Sequence, residues 1–324
     1  MMRIAVTGGT GFLGAEIVRQ GVARGHAMLA VARGLRPATL PEGAVFARCD
    51  IHDASQLQEI FRGCDAVIHS AALSAPWGRR ADFLHHNVAG TGLVVRAAEA
   101  AGVARLIHIS SSSVTFAFRD QFNINETWPL PPPVNAYAES KQKAEDETRR
   151  FPGALFIMRP RGLFGPGDPH LLPRLLRVMR RGRLPLLRGG AALADITDVA
   201  AAADAALVMA EAPAQCAGTY NISQGEPISI RDLVETIGRE LHITAQWRAL
   251  PSGLAFTGAR LLETVARLDP WQREPLVTAY GLGLFAYSQT LDLAAARERL
   301  HWQPKIALHD SLMRTLHPGG AATS

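Results

Sequence analysis

The chain is 324 residues long, 48% hydrophobic and 19% charged, which supplies a sizeable core and excludes a disordered chain; one large domain or two intimately joined ones are expected. A formal charge of +5 and a pI near 9.5 do not mark a nucleic-acid binder. The arginines are spread along the chain, with no zinc-finger spacing, basic–aromatic stripe or basic terminal run.

The opening run Arg3–Thr7 reads as a strand and leads into "TGGTGFLG", where Gly8, Gly11 and Gly14 recur at three-residue spacing and Gly9-x-Gly11-x-x-Gly14 overlaps them. Between a strand and the helix pattern Phe12–Arg24, such glycines permit a sharp turn and close approach to a pyrophosphate, and the helix N-terminus offers free N–H donors. The next strand, Ala27–Ala32, ends in "ARGLR". An NAD site usually has an acid there; Arg33, with Arg36 nearby, would instead fork onto a 2′-phosphate, so NADP(H) is expected over NAD(H), with NAD(H) possible.

Further strands are expected at Val45–Cys49, Ala66–Ser70, Leu106–Ser110 and Leu155–Arg159. Helices are expected at Ala54–Phe61, Asp82–Ala101 and Tyr137–Arg150. This alternation gives an α/β fold, a doubly wound parallel sheet with ligands beyond the strands' carboxyl ends. Residues 1–160 are expected to hold the dinucleotide, with 192–222 returning to that unit, and 161–324 to form a smaller α/β substrate-binding region.

In that second region a helix from His170 to Arg181 carries Arg174, Arg177, Arg180 and Arg181, with Arg183 beyond it. A solvated basic face is the plain reading, and one arginine on a substrate carboxylate or phosphate the functional one. A strand at Gly218–Ser223 and a helix at Ser229–Glu240 follow. The apolar stretch Ser252–Trp271 is expected to be ordinary core, ahead of a lid, a dimer contact or a membrane-surface helix. The eleven histidines show no metal-ligand spacing, and the adjacent His85 and His86 should point apart on a helix. Cys49, Cys64 and Cys216 lack Cys-x-x-Cys spacing, the start lacks a signal-peptide layout, and no uncharged apolar run approaches the ~20 residues that span a bilayer. A cytoplasmic protein with reduced thiols, and no stable membrane insertion, is expected.

The stretch "NAYAESKQK" has the densest chemistry. Lys141, Lys143 and Lys305 are the only lysines, so 31 of the 34 basic residues are arginine. Lys141 stands four places after Tyr137, one turn away on the same helix face. An ammonium near a phenol favours the phenolate, which would make Tyr137 a proton donor and acceptor near neutral pH.

Several motifs in order are similar to those of the extended short-chain dehydrogenase/reductases, the epimerase/dehydratase superfamily. "TGGTGFLG" resembles the nucleotide loop, "CDIHD" the adenine-contacting turn, "VIHSAA" the strand beneath the cofactor and "NVAGT" a helix motif. "SSSSV" and "YAESK" resemble the catalytic Ser and Tyr/Lys, and "RPRGLFGPGD" the strand end beside the nicotinamide. "SAPWG" and "GPGDPHLLPRL" look closest to the branch of 3β-hydroxysteroid dehydrogenases and 2-alkyl-3-oxoalkanoate (β-keto acid) reductases. The resemblance implies cofactor contacts at Gly8, Gly11, Phe12, Leu13, Gly14, Arg33, Asp50, Ile51, Ala71, Ala72, Tyr137, Lys141 and Pro160. It implies catalysis by Ser111, Tyr137 and Lys141, with another serine of Ser110–Ser113 an alternative to Ser111. Trp77, Ser112, Ser113 and Arg161 would face a small hydrophobic carbonyl substrate, and a homodimer is possible. The activity implied is NADP(H)-dependent ketone reduction or its reverse. A nucleotide-sugar epimerase or dehydratase with tightly bound NAD is the alternative, and a non-catalytic NADP-binding protein a third reading.

Overall fold

Runs of small and β-branched residues pair as parallel strands in the computed structural model, which describes residues 1–169, 171–180, 184–269 and 273–317. The strands β1 (Arg3–Thr7), β2 (Ala27–Ala32), β3 (Val45–Arg48), β4 (Ala66–His69) and β5 (Arg105–Ile109) join Ala154–Pro160 and Gly218–Ile222 in one seven-stranded sheet. Its order is Gly218–Ile222, Ala154–Pro160, β5, β4, β1, β2, β3, and every pairing is parallel. Chain order reverses at β1, between β4 and β2, which creates the crevice where doubly wound sheets bind ligands.

Side chains alternate between the sheet's faces. Ile4 and Val6 pack with α1 (Phe12–Ala23) and the helix Val199–Glu211 through Ile17, Val18, Ala203 and Leu207. Ala5 and Val67 face the other side, onto Leu57 and Phe61 of α2 (Ala54–Phe61) and Val94 of the helix Gly90–Ala100. Both faces are therefore dry, as an all-parallel sheet requires. Strand and helix ends fall within a residue or two of the pattern read from the sequence.

A second, four-stranded sheet joins Gln121–Ile124 from the first half to Gln289–Leu291, Leu193–Ala194 and Ile228–Ser229. Its helices Leu171–Arg180 and Ile230–Glu240 enclose Phe164, Met179, Leu233, Val234 and Ile237. Ser229 caps the second of these, accepting the Asp232 amide. The arginine run is a solvated face: Leu172, Leu175 and Leu176 pack inward while Arg174 pairs with Glu274 at 3.0 Å. His170, Arg181, Arg183 and Trp271 lie outside the described residues.

The helix Ser252–Leu268 corrects the expectation of core. Only Ala259 is buried, and Leu254, Leu261, Val265 and Leu268 are 59–80% exposed. The helix docks on Ala279–Ala286 by a narrow face of Ala255, Phe256 and Ala259. Its leucines fall on the other side, a distinction composition does not carry. No helix among the described residues is long and apolar enough to cross a membrane.

Candidate active site

At the end of β1 the chain must turn at once into α1. Gly8 does so at φ +68, and a side chain there would meet the Ala71 amide at 2.8 Å. A Cβ on Gly14 would sit 2.1 Å from the Gly8 carbonyl, so helix and loop touch through bare backbone. Gly11 caps α1 without a side chain, and no acid lies in the first turn. The amides of Phe12, Leu13 and Gly14 precede the first helical bond, from Ala15 to the Gly11 carbonyl at 2.8 Å, and so remain donors for an anion. The Leu13 side chain is buried in the core, leaving only its backbone to the turn.

Across the crevice, Arg33 follows β2 with its side chain 68% exposed and its Nη1 3.9 Å from Asp50 Oδ2. Arg36 turns away, donating to the carbonyls of Ala44 and Pro41 at 2.9 and 3.3 Å. It stitches its own loop, a role the sequence did not show. Beside Arg33 stands a further cation that the motif reading missed. Arg48 pairs with Ala32 across the β2–β3 register and donates Nε to the Arg33 carbonyl at 3.0 Å. Strand register was the signal that would have found it. The backbone amide of His52, then its ring, hold the Asp50 carboxyl below the usual range. Ile51 beside it is half-buried.

The loop after β4 carries Ala71, Ala72 and Ser74. Asn87 fixes it by accepting the Leu73 amide at 2.7 Å and donating to the Leu73 carbonyl at 3.1 Å and the Ser140 hydroxyl at 2.9 Å. This is the local work of the "NVAGT" motif. Adjacent His85 and His86 correct another expectation: Leu84–Ala89 is π-helical, and both imidazoles converge on His52.

Tyr137 opens the helix Ala136–Thr148, which Asn135 caps by accepting the Ala138 amide at 2.8 Å. Burial pushes the phenol above its ordinary pKa, while hydrogen bonds with the side chains of Ser111 and Ser74 pull it back. Lys141 is 3% exposed and donates Nζ to the Ile109 carbonyl at 2.6 Å. Burial brings its pKa down to about 8, with Glu145 opposing. The sequence assigned the lowering of the phenol to Lys141; here the two serines do it and burial outweighs them. Ser74 had no assigned role in the sequence.

The four serines have separate surroundings. Ser110 donates to Glu145 at 2.6 Å and lies in the core. Ser111 faces Tyr137 and accepts the Ser113 amide at 3.1 Å. The backbone carbonyl of Ser112 accepts from Gln289 Nε2 at 3.2 Å and from Thr115 Oγ1 at 2.9 Å, and the Ser113 hydroxyl is buried with no partner among the described residues. Beneath them Arg159 grips Glu145 with two bonds of 2.9 and 2.6 Å, tying the tyrosine helix to the strand Ala154–Pro160.

Toward the second half, Arg161 follows Pro160, 6% exposed, donating Nε to the Gln289 carbonyl at 3.1 Å. Tyr280 shares this space: burial pushes its pKa to about 12, with Arg161 lowering and Tyr137 raising it. Its ring meets Phe116 edge-on at 5.3 Å, and Phe118 and Phe256 extend the aromatic wall. Sequence motifs gave no hint of Tyr280, because it comes from a helix more than a hundred residues downstream. Trp77 lies under Arg267, 5.7 Å from ring centre to guanidinium carbon.

Residues 4–223, from β1 to just past the strand Gly218–Ile222, match the model of the NAD dependent epimerase/dehydratase family. The chain belongs to that family. A 2-alkyl-3-oxoalkanoate reductase of Stenotrophomonas maltophilia is 32% identical, covering 97% of this chain and 98% of its own. The enzyme of that name from Shewanella oneidensis is 30% identical over 95% and 84%. A mouse sterol-4-alpha-carboxylate 3-dehydrogenase is 27% identical over 97% and 90%. These bear out the branch resemblance read from the motifs. The solved structure of MoeE5 in complex with UDP-glucose and NAD superposes with a TM-score of 0.76 at 23% identity, covering 97% of both chains, which establishes the fold. The family member described here is an NAD(P)-dependent oxidoreductase of the extended short-chain dehydrogenase/reductase type. Its residues suit that cofactor: the turn has no room for a side chain at Gly8 or Gly14, and α1 opens with uncapped amides.

Proposed function

We propose that the protein is an NADP(H)-dependent ketoreductase, working on a hydrophobic β-keto acid or sterol-like ketone or on the matching secondary alcohol. One observation carries this reading: the Tyr137 phenol, hydrogen-bonded to Ser111, lies one helical turn from the buried ammonium of Lys141 at the sheet's carboxyl edge.

When bound, NADP(H) would supply or accept the hydride. The amides of Phe12, Leu13 and Gly14 would hold its pyrophosphate, with Gly8 and Gly11 giving room. Arg33, with Arg48, would take the 2′-phosphate, and Asp50 and Ile51 the adenosine. Ala71, Ala72 and Pro160 would line the remaining path, and Lys141 would bind the nicotinamide ribose. Tyr137 gives its proton to the substrate oxygen as negative charge develops there, and takes it back in reverse. Burial favours the protonated phenol, the form ketone reduction needs. Ser111 steadies the developing alkoxide, an oxyanion role.

The aromatic cluster of Phe118, Phe256 and Tyr280, backed by the buried Phe116, would favour an apolar substrate body. The Ser113 hydroxyl, without a partner among the described residues, and the buried Arg161 would be its polar contacts, with buried Ser112 beside them and the half-buried Trp77 nearer solvent. In this reading residues 1–160 and 192–222 build the cofactor unit, and 161–324 form the substrate region, to which Trp77, Ser112, Ser113, Phe116 and Phe118 of the first unit also contribute. Three free cysteines fit a cytoplasmic enzyme.

NADPH oxidation measured against 2-alkyl-3-oxo acids, 3-keto steroids and UDP-glucose tests the proposal. Turnover with one of the ketones supports it. Protein that carries NAD through purification and interconverts UDP-sugars, without consuming NADPH, refutes it in favour of an epimerase.

A further inference from the structure

Three imidazoles outside the proposed reaction meet beside the Asp50 turn. His52 brings its Nδ1 to 2.8 Å from Asp50 Oδ1, and its ring lies flat against that of His85, centroids 4.1 Å apart and planes within 6°. His86 stands edge-on to both, 5.6 Å from His52 and 5.0 Å from His85. One ring nitrogen from each falls within 4.8 Å of the others. The π-helical turn Leu84–Ala89 makes this possible, since its wider spiral lets neighbouring residues share a side; such turns concentrate at functional sites.

We infer that His52, His85 and His86 form a binding site for one divalent ion of the zinc, nickel or copper type, with Asp50 as the positioning residue behind His52. Imidazole suits these borderline metals. A metal-bound histidine commonly donates its other N–H to a carboxylate, which fixes the tautomer and makes the ligand more basic. Asp50 is placed to do this at His52 Nδ1, leaving Nε2 for the ion. Nε2 now lies 3.2 Å from the His85 carbonyl and would exchange that neighbour for the metal. Zinc–nitrogen bonds of about 2.0–2.1 Å need the three nitrogens closer than they stand. The exposed His85 ring can turn off the stack to close the distance.

Isothermal titration with ZnCl2 or NiCl2 at pH 7.5, without cofactor, tests this independently of the proposed reaction. One equivalent at low-micromolar affinity is expected for the wild type. His85→Ala, at an exposed position where folding is safe, should weaken binding at least ~10-fold. Asp50→Asn should weaken it ~10–100-fold, the usual loss when a ligand's supporting carboxylate is removed. Only millimolar binding by the wild type, or an undiminished equivalent in a His52→Ala/His85→Ala double variant, would overturn the site.

Discussion

Lys141→Met separates what Lys141 does for function from what it does for folding. Burial takes its pKa from 10.5 to about 8, so holding the charged form inside the protein costs about 3 kcal/mol. The hydrogen bond from Nζ to the Ile109 carbonyl returns about 1.5–3 kcal/mol, the range for bonds from charged groups. Methionine removes both terms and fills a similar volume, so the variant should lie within about 1–2 kcal/mol of wild-type stability. Its turnover should fall by at least ~10²-fold, because the nicotinamide ribose loses the cation proposed to hold it beside Tyr137. The stability difference should also depend on pH. Below pH 8 folded and unfolded chains both hold the Lys141 proton and the full cost is present. Above pH 8 the native state releases the proton while the unfolded state keeps it until about pH 10.5, so wild-type stability rises relative to the variant. Urea unfolding of both proteins at pH 7.5 and 9.5 should show a relative wild-type gain of about 2 kcal/mol. A difference unchanged with pH, or wild-type turnover in the variant, would refute the reasoning.

Glu145→Gln leaves the Arg159 charge, 2% exposed, without its counter-ion, and should cost about 3–5 kcal/mol in urea unfolding; a cost below about 1 kcal/mol would contradict the ion pair's place. Arg33→Ala should raise the KM for NADPH about 10–100-fold, the loss of one charged hydrogen bond or more, while the KM for NADH stays within a few-fold. Equal effects on both cofactors would remove the 2′-phosphate contact. Gly14→Ala places a methyl 2.1 Å from the Gly8 carbonyl and must push α1 off the loop; dinucleotide binding followed by fluorescence should be lost at concentrations that saturate the wild type.

What the sequence made legible has a local cause. Glycine spacing, strand alternation and the Tyr137–Lys141 pair each lie within a few residues, where period and turn chemistry apply directly. The glycine turn and the Tyr137–Lys141 pair could therefore be singled out in advance as candidates. The rest depends on distant partners. Tyr280 reaches Arg161 and Phe116 from a late helix. Arg48 reaches the Arg33 carbonyl only through strand register, and His52 meets His85 and His86 only once a π-helix forms. Composition also misjudged Ser252–Leu268, because apolar content says nothing about which face finds a neighbour. The pKa of Tyr137 was read from one nearby cation, whereas burial and the two serines set its direction.

The central claim is that the Tyr137 hydroxyl carries the proton to and from the substrate oxygen. Tyr137→Phe keeps the ring, and with it the edge-on contact to Phe83 at 6.2 Å, and deletes only that oxygen. Steady-state NADPH oxidation with a ketone the wild type turns over should fall about 10²–10⁴-fold in kcat, with NADPH affinity within a few-fold by fluorescence titration. Turnover in the variant at the wild-type rate would contradict the account.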